Sequence, residues 1–96
     1  MSNTTETSAE TGAEPIISIS VLFFGRLAED LGCDQLSLAL PAGSTVLDVK
    51  TQLKARFGSL EFGYPVLQAL NQAIAPDSAE VTPDSELAFF PPVTGG

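Results

Sequence analysis

From residue 16 onward the chain alternates between apolar and polar positions. Ile17, Ile19, Val21 and Phe23 recur at every second place, with Ser18, Ser20, Leu22 and Phe24 between them, which predicts a strand with two different faces. The parity sends the first four inward and leaves Leu22 and Phe24 on the opposite face. Over residues 25–32 the spacing changes: Leu27 and Leu31 fall four apart on a short helical turn that Gly32 can close in a left-handed conformation. Leu36, Leu38 and Leu40 alternate again before Pro41-Ala42-Gly43, giving a second strand placed to pair antiparallel with the first. Thr45 followed by Asp48 fits a capping box with the shorter acid in place of Glu, and Val46, Val49, Leu53 and Phe57 then mark one face of a helix stopped by Gly58.

Lys50, Lys54 and Arg56 fall away from that face, in the part of the helix where its dipole favours cations, and are expected to be solvated. Beyond the glycines and proline of 58–65, short strands are expected at 66–70 and 73–75 around an Asn71-Gln72 turn, since Asn tolerates a positive φ. Pro83-Asp84-Ser85 marks another turn. The last strand is Glu86-Leu87-Ala88-Phe89-Phe90, with Leu87 and Phe89 inward and Phe90 outward. The order ββαβ(β)β predicts an α+β domain, a mixed sheet packed on one long helix. An outer sheet face carrying Leu22, Phe24 and Phe90 calls for a partner.

Residues 1–15 do not share the pattern. They are almost entirely Ser, Thr, Glu, Ala and Gly, with no large apolar side chain after Met1, and are expected to form a disordered acidic tail ahead of a single domain at 16–96. A chain of 96 residues holds one core. Its 44% hydrophobic content excludes disorder throughout, while no apolar run approaches the roughly 20 residues of a membrane span. Net charge is −8; with Glu6, Glu10 and Glu14 set aside, nine acids still face four bases. That balance removes the basic surface on which nucleic-acid binding depends. With no His and one Cys there is no imidazole base and no His/Cys zinc site, so neither a metal site nor a bound cofactor is expected. Cys33 can form no intrachain disulfide and is read as incidental, which suits a reducing, cytoplasmic location, as does the lack of a secretory signal pattern.

Phe90 leads into Pro91-Pro92-Val93-Thr94-Gly95-Gly96. Two prolines hold the backbone extended, and six residues at about 3.3 Å each project about 20 Å. Gly95 and Gly96 lack Cβ atoms and can thread a channel closed to any side chain, bringing a terminal carboxylate to a reacting centre. A carboxylate with a pKa near about 3.5 is a poor electrophile and needs a leaving group before a nucleophile can attack it. The sequence has no Gly-x-x-x-x-Gly-Lys phosphate loop.

Phe23-Phe24-Gly25, Ala69-Leu70-Asn71-Gln72 and the run from Leu87 to Gly96 together resemble the sulfur-carrying small subunits of molybdopterin synthase, over residues 16–96. The resemblance implies a ubiquitin-like β-grasp fold and a sulfur donor with no catalysis of its own. It implies that a separate adenylating enzyme uses ATP to activate Gly96, and that a persulfide-bearing enzyme then leaves a thiocarboxylate there. Sulfur would pass to a cyclic pyranopterin precursor in molybdenum cofactor biosynthesis. On the same grounds Gly95 gives access to the active site of a large catalytic subunit, and Pro91, Pro92, Val93 and Thr94 form the approach. The resemblance also implies that Phe24, Ile74 and Phe90 pack against that subunit, in a heterotetramer of two small and two large chains. Two departures stand out: Asp84-Ser85-Glu86 replaces the family's Gly-Asp-Glu turn, with Pro83 expected to supply the geometry, and the N-terminal extension has no counterpart. Three other readings stay open. They are a thiamine-pathway sulfur carrier, which lacks the Phe-Phe-Pro-Pro run, a ubiquitin-like modifier joined through Gly96 to lysines, and a plain β-grasp binding module.

Overall fold

The alternation that begins at Ile16 builds the middle of a sheet. In a computed structural model that describes residues 15–92, β1 (Ile16–Phe23) lies between two partners of opposite sense. On one side β2 (Gln35–Pro41) runs antiparallel, from Ile16↔Pro41 to Leu22↔Gln35. On the other, β5 (Glu86–Phe90) runs parallel, from Ser20↔Glu86 to Phe23↔Phe89. β3 (Leu67–Leu70) pairs antiparallel with β5, and the two-residue β4 (Ala73–Ile74) closes the mixed sheet in the order β2-β1-β5-β3-β4. The expected tail up to residue 14, and Val93, Thr94, Gly95 and Gly96, lie outside the described residues.

One face of this sheet is the core. Ile17, Ile19, Val21 and Phe23 of β1, Leu38 and Leu40 of β2, and Leu87 and Phe89 of β5 are buried, as the parity requires. Two helices meet them: α1 (Gly25–Leu31) contributes Leu27, and α2 (Val46–Phe57) contributes Val46, Val49 and Leu53. The sequence predicts one long helix and a helical turn; the turn is a second helix of seven residues. Gly32, at φ 70°, ends it by donating its N–H to the carbonyls of Ala28 and Glu29. The Phe23 ring packs edge-on against Phe57 at 5.8 Å and stacks on Phe89 at 6.0 Å, joining helix and sheet.

α2 is fixed at its start by the predicted capping box. Thr45 Oγ1 accepts from the Asp48 N–H, and Asp48 Oδ2 accepts from the Thr45 N–H at 2.8 Å. Two more of the helix's unpaired amides are satisfied from outside: Val46 donates to the Ala79 carbonyl and Leu47 to that of Asp77. The cations of α2 are not uniformly solvated. Lys54 and Arg56 are exposed, but Lys50 is half-buried and pairs with Asp77 at 3.0 Å. Gln68 Nε2 donates to the same carboxylate at 2.9 Å, and this hydrogen bond, followed by the one from Lys50, holds the Asp77 carboxyl below the usual carboxylate range.

Two turns differ from expectation in detail. At the β3–β4 hairpin both Asn71 (φ 50°) and Gln72 (φ 75°) are left-handed, because a two-residue turn matched to strand twist needs positive φ at both positions. Before β5, Asp84 (φ 63°), following Pro83, provides the left-handed corner that the family's Gly would occupy. Ser85 closes that turn by donating its N–H to the Thr82 carbonyl, while its buried hydroxyl accepts from the Thr82 N–H.

Candidate functional site

The parallel pairing of β1 with β5 places the C-terminal ends of both strands at the same edge of the sheet. Phe24 follows β1 directly and donates its N–H to the Phe89 carbonyl at 3.1 Å, so Phe24 and Phe90 come out side by side. Across β5, Phe90 is opposite Leu67, and Ala88 is opposite Ala69, which in turn faces Ile74. Because successive side chains alternate between faces, Leu22, Phe24, Ala88, Phe90, Leu67, Ala69 and Ile74 all stand on the face away from the helices. Three of them are open to solvent: Phe24 at 50%, Leu67 at 40% and Ile74 at 72% exposure. Phe90 and Leu22 are half-buried. A contiguous apolar surface of this kind, on a small acidic chain, marks an interaction site.

The chain leaves this surface through Pro91 and Pro92, both half-buried. The Pro91 ring lies against Gly25, the first residue of α1, where an added Cβ would stand 3.7 Å from Pro91 Cγ. Phe24, Phe90 and Ile74 therefore share the outer face, and Pro91, turned towards α1, and Pro92 follow directly at the end of the sheet where Phe24 and Phe90 lie. Val93, Thr94, Gly95 and Gly96 continue from it beyond the described residues.

Leu67, missed from the sequence, belongs to the same surface. Val66-Leu67 and Ala69-Leu70 are apolar at adjacent positions, so alternation did not say which of them faced outward; the register opposite Phe90 does. Cys33 stands apart from the surface at the end of α1, half-buried, with its Sγ donating to the Gln35 carbonyl at 3.4 Å. A separate cluster fastens the 58–66 loop to α1: the Arg26 guanidinium lies 4.6 Å from the centre of the Tyr64 ring, and Tyr64 donates its hydroxyl to Asp30 at 2.6 Å. Partial desolvation, that hydrogen bond and the Asp30 charge push the Tyr64 phenol up to about 12, against the opposing pull of Arg26.

A mixed sheet with a parallel central pair, helices on one face and an apolar opposite face beside its last strand defines a ubiquitin-like β-grasp protein. Solved structures share the arrangement. SAMP1 from Haloferax volcanii superposes with a TM-score of 0.71 at 26% identity, over 82% of this chain and 99% of that one. A putative molybdopterin converting factor subunit 1 from Pyrococcus furiosus gives the same TM-score and identity over 80% and 99%. In sequence, the chain is 38% identical over 91 residues to the molybdopterin synthase sulfur carrier subunit of Arabidopsis thaliana, covering 94% of this chain and 95% of the relative. The ThiS family model matches residues 21–96, and the chain belongs to that family.

Proposed function

We infer that this chain is the sulfur carrier of a molybdopterin synthase, a small non-catalytic subunit that works through its own C-terminus. A separate enzyme adenylates the Gly96 carboxylate with ATP, releasing pyrophosphate, and the sulfur of a persulfide-bearing enzyme then displaces AMP. Cleavage of the resulting acyl disulfide by a thiol leaves the Gly96 thiocarboxylate. The charged tail enters the active site of a large catalytic subunit, in a cytoplasmic heterotetramer of two small and two large chains. There sulfur passes to a cyclic pyranopterin precursor, and hydrolysis returns the carboxylate. No cofactor is bound by the carrier itself.

The observation that carries this proposal is the parallel β1·β5 pair. It puts the apolar surface of Phe24, Ile74 and Phe90 on the side from which Pro91 and Pro92 depart, so a partner that grips the surface receives the tail. The exposed apolar side chains supply binding, and the diglycine supplies access; the chain needs no general acid or base of its own.

The test separates the two parts. A chain ending at Thr94 should bind the large subunit as tightly as the full chain and transfer no sulfur. Sulfur transfer by the shortened chain, in a reconstituted system where the full chain is active, contradicts the proposal. A second reading, conjugation through Gly96 to protein lysines, is favoured by the likeness to SAMP1, the small archaeal modifier protein 1 of Haloferax volcanii, and isopeptide-linked Gly-Gly remnants on other proteins would distinguish it.

A further inference from the structure

The outer sheet face changes character along β5. At its tail end it is apolar; at the other end it presents Ser18 and Ser20 from β1 and Ser37 from β2. Glu86 stands at the boundary. It is opposite Ser20, on the same face as Ala88 two residues further on, and Ala88 lies between Leu22 and Ala69.

The Glu86 backbone is already occupied. Its N–H donates to Asn71 Oδ1 at 2.9 Å and its carbonyl accepts from the Asn71 N–H at 2.8 Å, so the hairpin is held without the carboxylate. Among the described residues the Glu86 carboxylate pairs with no cation. Among the described residues the one ion pair is Lys50 with Asp77, on the helix side of the sheet, and Arg26 is engaged over Tyr64. Glu86 is half-buried before any partner arrives. A protein that covers the adjoining apolar residues removes more water from this group, and an unpaired carboxylate left there opposes binding.

We propose that Glu86 is a specificity-determining residue, paired on docking with a Lys or Arg side chain that the large catalytic subunit places beside its apolar contact. This rests on the functional reading above. The apolar cluster gives adhesion that many apolar surfaces could match, whereas a carboxylate at its border admits a basic-rimmed partner and penalises a neutral or acidic one. The pairing is local, in contrast to the diffuse attraction exerted by the net charge of −8.

The test compares Glu86→Lys with Glu80→Lys in the full chain, binding to the purified large subunit across a range of salt concentrations. The two substitutions change net charge equally, but Glu80 is exposed beside the start of α2, bridged to Thr45 on the helix side. E86K should slow association and weaken affinity by about tenfold or more at low ionic strength, with the loss shrinking as salt rises, while E80K changes little. Glu86→Gln, which keeps the shape of the side chain, should show a smaller loss and a flatter salt dependence. Equal effects of E86K and E80K, or an E86Q chain indistinguishable from the parent, overturn the proposal. Failure of the unsubstituted chain to bind the large subunit overturns the functional reading itself.

Discussion

Phe23 meets α2 through Phe57 and β5 through Phe89, and it is buried to 2% exposure, so its ring is shared by both layers of the domain. Phe23→Ala should cost about 3–5 kcal/mol, a large part of the roughly 5–15 kcal/mol that holds a small domain together. Denaturant unfolding would show this as a lowered midpoint with little change in slope. Tyr64 offers a spectroscopic check because it is the only tyrosine in the chain. Its phenol should titrate at about 12 by ultraviolet absorbance, and Asp30→Asn should bring the midpoint down. A folded-state value above the unfolded one near about 10 means that this contribution to stability is complete below about pH 10 and is lost as pH rises towards 12. At this scale Phe24 and Phe90 were legible from strand parity alone, whereas Ile74 came only from family resemblance. A two-residue strand is too short to display a period.

Among the elements, α2 was the most legible, since a capping box, an apolar stripe and a terminal glycine all agreed on its limits. Removing its cap with Thr45→Ala should lower stability by about 1 kcal/mol, measured by thermal unfolding. The turn before β5 was legible in place but not in mechanism. Pro83 was expected to set its geometry, yet the strained corner is Asp84 at φ 63°, and Asp there pays a conformational penalty that Gly avoids. Asp84→Gly should therefore raise the unfolding midpoint, stabilising by up to about 1 kcal/mol, whereas Asp84→Val should lower it. The left-handed Gln72 was not legible, because its side chain has no preference that announces a positive φ; the hairpin imposes it.

For the molecule as a whole, local pattern could place β1 against β2, whose connection is short, but not β1 against β5. That pairing joins residues far apart in the sequence, and its parallel sense cannot be read from either strand's own pattern. It is also the feature that brings Phe24 and Phe90 side by side at one end of the sheet, with Pro91 and Pro92 following directly. The lack of His and the single Cys fit a carrier whose reactive group is its own terminus. The central claim, that Gly96 is converted to a thiocarboxylate, is met most directly by mass analysis of the C-terminal tryptic peptide after incubation with ATP, the adenylating enzyme and a persulfide donor. Trypsin's last cut follows Arg56, and residues 57–96 contain neither Met nor Cys, so oxidation of those residues cannot imitate the product. The account predicts exchange of one oxygen for sulfur in that peptide, confined by fragmentation to Gly96; an unchanged peptide under conditions that charge a control carrier would contradict it.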